Sequence, residues 1–458
     1  MAQQPVHRFS ADTIRHLLSD TYKELAAKHP GFYRYTSRTA YHQYFDSLQN
    51  TITDSLSELE VYRKLKPFIA KMGCLHTGIS LPKTYTDSLN QYPNLFPFQV
   101  ALYKNKLFIV KNIADYNSDA TGCEITEING QPVASLLQSI LPAIATDGYN
   151  KTLPGRSILY MFPLLYRNLV QICDSFTFAT MCGDIGFTQR VAGKTFASLA
   201  GSNFLQETTP AKELTFTMQD SIGILTIHSF SASAIKKGGQ QFKSFIKETF
   251  QTLTTQNTPY LILDLRNNTG GSDENAALLT SYFFDSVYRY WDRIEVTEAI
   301  ARDIKGATTL FYRKPIRKDS TWLWQKARTV RDFDFYEVQQ PAQKPYKGKV
   351  YVLINGFCMS SCADVAAVLH HNKKAVFAGE ETGGGYQGNN SGLMPQTTLK
   401  PTRLQLTVPL QSYYNAVNPR QYIGIGTIPD ITIHESVESI TVGKDEVMEA
   451  VLSAIRHK

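Results

Sequence analysis

Residues 350–369 read VYVLINGFCMSSCADVAAVL, and this stretch decides how the rest of the chain is interpreted. Its first five residues are apolar and mostly β-branched, which predicts a buried strand. Asn-Gly at 355–356 interrupts the strand, and from Ser361 onwards the apolar residues follow helical spacing. Ser361 is therefore expected where a strand ends and a helix begins, next to N–H groups that the first helical turn leaves unpaired.

The hydroxyl of Ser361 has two interpretations. It can act as a nucleophile, because the unpaired N–H groups of a helix start can stabilise an oxyanion. Alternatively, Ser360 or Ser361 is only an N-cap, and Asp364 completes a pair that resembles a capping box. This stretch alone leaves both interpretations open.

Composition narrows the class of protein. The chain has 458 residues, of which 43% are apolar and 19% charged, as in soluble globular proteins of two or three domains. The net charge of +7 is spread without a long Lys/Arg run, so we expect no nucleic-acid partner. No apolar stretch reaches transmembrane length, and the first residues lack a signal-peptide core. We expect either a cytosolic protein or one whose signal has been removed.

The chain divides into three predicted regions. Residues 1–90 show helical spacing, with a helix that we expect to end at Gly73. Residues 91–210 read as a small β-rich module that contains a loop at 142–154. Residues 211–458 alternate strands and helices, with an aromatic and charged insertion at 286–348.

The alternation in the third region predicts an α/β fold with a mostly parallel sheet covered by helices. In such sheets ligands bind at the carboxyl ends of the strands. Two loops are expected at that edge, at 266–272 and at 355–361, so a site is predicted between them.

A serine nucleophile needs a base that takes its proton. His370 and His371 follow Ser361 on the same predicted helix, after about 14 Å of rise and near the opposite face, so they cannot reach it. His228 ends a predicted strand at the ligand-binding edge. His76 stands on a loop, where functional residues concentrate. Sequence spacing leaves His228 and His76 as candidates.

Glycines next to these loops suggest further parts of a site. Gly270 and Gly271 allow a backbone conformation that directs N–H groups into a cleft; alternatively, they only shape a tight turn. The Gly-rich loop at 383–385 lacks the Lys-Ser/Thr ending of a phosphate loop, which excludes nucleotide binding there. We expect no cofactor.

The chain resembles the serine peptidases of the C-terminal processing and tricorn type, a family that also includes the retinoid-binding repeats of the eye. The resemblance covers about residues 60–435 and rests on five blocks in the same order: 73–77, 262–271, 361–364, 379–384 and 424–430. It implies a crotonase-like ββα spiral core with N-terminal helices and commonly a PDZ-like module. It also implies cleavage of peptide bonds through an acyl-enzyme.

The resemblance assigns roles to particular residues. Ser361 matches the nucleophile, and Asp364 falls where the family usually has a glutamate. The backbone of Gly270 or Gly271 and that of Cys362 match the oxyanion donors.

The base distinguishes two branches of this family. One branch uses a lysine in the Gly-rich loop, and the loop at 383–387 has none. The tricorn-like branch uses a histidine that matches His76. That branch often has a glutamate where this chain has Ile423, so the group that orients His76 is not identified. Exported bacterial relatives favour an extracytoplasmic location with the signal absent from this sequence.

The leading hypothesis is therefore a serine-type peptidase with peptide or protein substrates, Ser361 as nucleophile and His76 as base. A catalytically inactive binding protein on the same fold and a hydrolase of small esters remain as alternatives. None of the six cysteines has zinc-type spacing, so we expect no metal and mostly buried thiols. If the site assembles, Cys74 comes close enough for a disulfide with Cys358 or Cys362.

Overall fold

The structure, a computed structural model, describes residues 7–114, 120–201, 210–328 and 337–457. In these ranges no helix is long and apolar enough to cross a membrane.

The helices and strands fall into three successive groups along the chain. The N-terminal region contains β1 (Arg8–Phe9), α1 (Ala11–Lys28), α2 (Arg38–Asn50), β2 (Leu56–Ser57), α3 (Glu58–Ala70), β3 (Gly78–Ser80) and α4 (Lys83–Asn90). The β-rich module contains β4 (Phe98–Tyr103), β5 (Lys106–Asn112), β6 (Glu124–Ile128), β7 (Gln131–Pro132), α5 (Val133–Ile140), α6 (Thr152–Leu169), β8 (Ser175–Cys182), β9 (Ile185–Ala192) and α7 (Phe196–Gly201). The core region contains β10 (Leu214–Gln219), β11 (Ile222–Ile227), α8 (Ala232–Lys237), α9 (Phe242–Thr255), β12 (Tyr260–Asp264), α10 (Asp273–Ser281), β13 (Trp291–Val296), α11 (Glu298–Asp303), β14 (Ile316–Lys318), β15 (Thr321–Leu323), β16 (Lys349–Ile354), α12 (Ser361–His371), β17 (Val376–Gly379), β18 (Asn390–Ser391), β19 (Gln396–Leu399), β20 (Leu404–Thr407), β21 (Gln411–Asn415), β22 (Ile431–Thr432), α13 (Val437–Val442) and α14 (Glu446–Arg456).

The central sheet of the core region is mostly parallel, as predicted. Its strand order is β10-β11-β12-β16-β17-β22, with only the β10–β11 pair antiparallel. The apolar runs of β11, β12 and β16 are buried because helices cover the sheet, as expected for parallel strands. The strand that ends at Ile354 and the helix that begins at Ser361 are both confirmed.

The predicted insertion at 286–348 is part of the core region. Its described residues include β13, β14 and β15, which join β21 and β18 in a second sheet of order β14-β15-β13-β21-β18. β13 pairs antiparallel with β21, a strand from near the end of the chain. The aromatic residues of this segment therefore enter the core instead of forming a separate appendage.

The β-rich module contains a hairpin of β4 and β5 and more helix than the sequence suggested. Lys104 and Asn105 make its turn at φ 48° and 62°, the left-handed conformation of a tight hairpin turn. The loop predicted to extend to Pro154 ends earlier, because α6 begins at Thr152. Pro154 fits this helix since it stands in the first turn, where its missing N–H removes no intrahelical bond.

The N-terminal region is attached to the core region by a shared sheet and a shared hydrophobic cluster. β3 pairs with β20, and β20 pairs with β19. The buried residues of α1, α2 and α3 pack in one cluster with Leu399, Leu404 and Leu406. Helix α3 ends at Ala70, three residues before the predicted stop at Gly73. The turn that follows carries His76 towards the core region.

Candidate active site

Ser361 is the first residue of α12, and its hydroxyl has no role in capping. Ser360, the N-cap residue, has the strained dihedrals φ 53° and ψ −134° and makes no side-chain cap hydrogen bond. The Oγ atom of Ser361 is buried and has no hydrogen-bond partner among the described residues. The N-cap interpretation of this stretch is therefore wrong, and the hydroxyl stays available for chemistry.

The two loops predicted to meet at the strand ends are in contact. The Met359 amide donates to the Asn268 carbonyl at 3.1 Å, which joins loop 355–361 to loop 266–272. A Cβ atom at Gly270 would lie 2.7 Å from the Cβ of Ser360, and Gly270 has φ 98°. Glycine is required here because both the close approach and the dihedral exclude a side chain.

The candidate oxyanion donors differ in whether their N–H groups are free. The N–H of Gly270 donates to Asn268 Oδ1 at 2.8 Å, and the N–H of Cys362 donates to the Met359 carbonyl at 3.1 Å. The N–H of Gly271 donates to no acceptor within the described ranges. Of the donors that the sequence suggested, Gly271 is the one left free.

Asp364 lies in the first turn of α12 and is buried in the core. Its carboxyl group is buried and accepts hydrogen bonds from Asn389 Nδ2 at 3.2 and 3.4 Å. Burial, reinforced by the nearby carboxyl of Asp273, raises the pKa of Asp364 to about 8. A carboxyl group that prefers its neutral form is poorly suited to stabilising a positively charged base. Its role as an orienting group stays a prediction.

His76 stands in the turn between α3 and β3. Its ring is partly exposed, but its Nδ1 atom is buried without a hydrogen-bond partner in the part of the chain that the structure describes. Burial lowers the pKa of His76 to about 4, because it disfavours the charged ring. The imidazole is therefore neutral at physiological pH, which is the state that a general base needs.

A buried carboxylate that the sequence analysis missed lies beside His76. Oxygen atoms of Asp147, a ring nitrogen of His76 and the sulfur of Cys74 lie within 4.8 Å of one another. Asp147 Oδ1 accepts the Leu75 amide at 3.1 Å, and Oδ2 accepts the Gly385 amide at 3.2 Å. Asp147 thus joins the His76 turn to the Gly-rich loop. Burial raises its pKa to about 6, opposed by these two amides.

The Gly-rich loop links the His76 turn to the nucleophile. The Gly384 amide donates to the Cys358 carbonyl at 3.1 Å, and a Cβ atom at Gly384 would lie 3.1 Å from the Ser360 nitrogen. Cys74 Sγ contacts the Asn390 carbonyl at 3.8 Å. The N-terminal region therefore packs against this edge of the core region.

The other histidines have different surroundings. His228 lines a cavity of about 390 Å³ together with Arg156, Arg266 and Asp445, and Ser361 is not among the lining residues. His370 lies at the other end of α12, where its ring packs edge-on against Phe377 and Tyr386. The turn of His76 is joined through Asp147 to the Gly-rich loop, which contacts loop 355–361.

The described residues contain two disulfides, Cys123–Cys182 and Cys358–Cys362. The predicted pairing of Cys74 with Cys358 or Cys362 is wrong, and Cys74 is a buried free thiol. Cys358 and Cys362 pair with each other because the turn into α12 brings their Cα atoms to 5.4 Å. The expectation of mostly unpaired thiols is also wrong.

Comparisons with known proteins indicate the class of protein. Residues 221–433 match the model of peptidase family S41. The structure of mature CPAF in complex with lactacystin is 15% identical, with 97% of each chain covered and a TM-score of 0.65. A second structure of mature CPAF is 14% identical, with 95% of each chain covered and a TM-score of 0.64. No curated protein sequence matches the chain.

The protein is a hydrolase, a serine-type peptidase with a mixed α/β fold. The match to peptidase family S41 lies within its core region. The likeness to CPAF extends the shared fold over nearly the whole chain.

Proposed function

We propose that this peptidase cleaves peptide bonds through an acyl-enzyme, with Ser361 as the nucleophile and His76 as the general base. The observation that carries the proposal is that Ser361 Oγ and His76 Nδ1 are both buried without hydrogen-bond partners among the described residues. Buried polar atoms are rarely left unsatisfied without a functional reason. Ser361 begins α12 directly after loop 355–361, and His76 stands in the turn that Asp147 joins to the Gly-rich loop, which itself contacts loop 355–361.

The reaction follows from the state of these groups. Neutral His76 accepts the proton of Ser361 as Oγ attacks the carbonyl carbon of the scissile bond. The N–H of Gly271 donates to the resulting oxyanion. His76 then gives its proton to the leaving amine, and the acyl-enzyme is hydrolysed by a water that His76 deprotonates.

We further propose that Asp147 orients His76 and stabilises its charged form. Ile423, which matches the usual position of a glutamate in the tricorn-like branch, is 62% exposed and has no carboxyl group. Asp147 is 1% exposed and lies within 4.8 Å of a His76 ring nitrogen. It supplies a carboxylate from another part of the chain, and its two backbone hydrogen bonds fix its position.

The proposed domain organisation has three parts. Residues 1–90 carry the base, 91–210 form a PDZ-like module, and 211–458 form the crotonase-like core with the insertion at 286–348. The module has a hydrophobic cluster of its own, which supports its boundaries. The two disulfides support an extracytoplasmic location, since disulfides persist in oxidising compartments.

Labelling with a fluorophosphonate, followed by peptide mapping, tests the nucleophile. We expect the label on Ser361, with loss of labelling and of peptidase activity in Ser361→Ala. The matched control is Ser360→Ala, which should keep the label. An unlabelled native chain would instead support an inactive binding protein, and cleavage of esters but no peptides would support an esterase.

A further inference from the structure

Three side chains at the proposed base combine the ligand types of a transition-metal site. The sulfur of Cys74, a ring nitrogen of His76 and a carboxylate oxygen of Asp147 all lie within 4.8 Å of one another. Cys74 and Asp147 are buried, while the partly exposed ring of His76 gives access from the surface. The sequence concealed this cluster, because Asp147 lies far from the other two residues along the chain.

The ligand set selects among metals. A thiolate with an imidazole and a carboxylate suits zinc, whereas magnesium and calcium prefer oxygen ligands alone. Zinc–ligand bonds of about 2.0 to 2.3 Å in a tetrahedron place ligand atoms about 3.5 Å apart. The present separations, at most 4.8 Å, require a contraction of up to about 1.3 Å. Three protein ligands leave the fourth position for water.

The surroundings of the three ligands suit a metal. His76 Nδ1 has no hydrogen-bond partner in the described chain, and Cys74 Sγ makes a long contact of 3.8 Å with the Asn390 carbonyl. Each carboxylate oxygen of Asp147 accepts one backbone N–H and keeps a further lone pair. Such outer hydrogen bonds hold a carboxylate ligand in place.

We propose that Zn²⁺ binds Cys74, His76 and Asp147 and thereby switches the peptidase off. Neutral imidazole has one nitrogen lone pair. When zinc takes that pair, the other ring nitrogen carries a proton, so His76 cannot accept the proton of Ser361. The Cys74 thiol releases its proton to solvent as the metal binds. Binding is independent of the proposed catalytic roles, but inhibition rests on the proposed function of His76.

Binding is tested on the full chain after metals have been removed with a chelator. We expect one Zn²⁺ per chain in a titration against a chromophoric chelator, and a thiolate-to-cobalt absorption band when Co²⁺ is added. Cys74→Ala should remove the cobalt band and weaken zinc at least tenfold. The matched control is Cys173→Ala, because Cys173 is the other free cysteine and lies in the β-rich module. If the native chain shows no cobalt–thiolate band, the proposed metal site is wrong, whatever the variants show.

Inhibition is tested by measuring the rate of fluorophosphonate labelling with and without Zn²⁺. For each variant the rate with Zn²⁺ is divided by the rate without it, because this ratio does not depend on the variant's basal rate. We expect at least a tenfold decrease in the native chain and in Cys173→Ala, reversed by the chelator, and a ratio near one in Cys74→Ala. Zinc that binds without slowing labelling would overturn inhibition. If the metal-free chain is never labelled, the proposed function is wrong. The cobalt band would still test metal binding in that case, because it does not depend on labelling.

Discussion

Replacement of Asp147 by asparagine removes the charge that faces His76 and keeps the size of the side chain. In the transition state His76 carries a positive charge, and the carboxylate lies within 4.8 Å of a ring nitrogen. At that separation, with an effective dielectric constant of about 20, the attraction is about 3.5 kcal/mol. Asp147→Asn should therefore lower kcat/KM by about 300-fold. Because the interaction forms only as the proton moves, most of the loss should fall on kcat.

The pH dependence of the same variant distinguishes this role from simple scaffolding. Burial raises the pKa of Asp147 to about 6 and lowers that of His76 to about 4. Activity requires the carboxylate to be ionised and the imidazole to be neutral, so kcat/KM of the native enzyme should fall below about pH 6. In Asp147→Asn that limb should move towards pH 4, where His76 itself becomes protonated.

The assay is cleavage of a fluorogenic peptide between pH 4 and 8, with thermal unfolding measured in parallel. In Asp147→Asn the one remaining side-chain oxygen can accept the amide of either Leu75 or Gly385. The NH₂ group then faces the other amide and cannot accept its proton, which should lower the free energy of unfolding by about 1–3 kcal/mol. The control is Asp174→Asn, an exposed acid of the β-rich module. A folded Asp147→Asn enzyme within threefold of native activity, or with an unmoved acid limb, would refute the reasoning.

Three further predictions concern stability and the shape of the site. Gly270→Ala places a Cβ 2.7 Å from that of Ser360 at φ 98°, so labelling of the nucleophile should slow at least tenfold and stability should fall by about 1–3 kcal/mol in urea unfolding. Burial raises the pKa of Asp364 to about 8, so the folded protein binds this proton more tightly than the unfolded chain, and the resulting stabilisation is lost as pH rises from about 4 through 8. Asparagine does not titrate, so in Asp364→Asn the difference in Tm between pH 5 and pH 8 should be smaller than in the native protein. Removing the Cys123–Cys182 disulfide, which spans 59 residues, by a double substitution to alanine should lower the free energy of unfolding by about 4 kcal/mol in urea titrations.

Local pattern was sufficient for the core region and for the position of the nucleophile. The change from a buried apolar run to helical spacing at 350–369 fixed both the end of β16 and the start of α12. The glycines at 270 and 271 indicated a backbone conformation that directs N–H groups into a cleft or shapes a tight turn, and both have the positive φ that glycine tolerates. Such features are readable because each depends on residues that are neighbours along the chain.

Features that depend on distant residues were not readable in this way. Asp147 stood in a segment interpreted only as a loop, and its partners Leu75 and Gly385 come from the two other regions. Helix α6 was missed because Pro154 and Gly155 suggest a break, although the first turn of a helix tolerates proline. The cysteine pairs were also misjudged, since spacing does not reveal which sulfur atoms face each other.

The attachment of the N-terminal region has a consequence for how the enzyme can be divided. The turn of His76 is held in place by the pairing of β3 with β20 and by the hydrophobic cluster that includes Leu399 and Leu404. Neither of these contacts depends on the peptide that leads from α4 to β4. A cut in that peptide would leave the proposed base on one fragment and the nucleophile on the other. Each fragment would be inactive alone, and mixing them would restore cleavage, so that peptidase activity would report the association of two separate polypeptides.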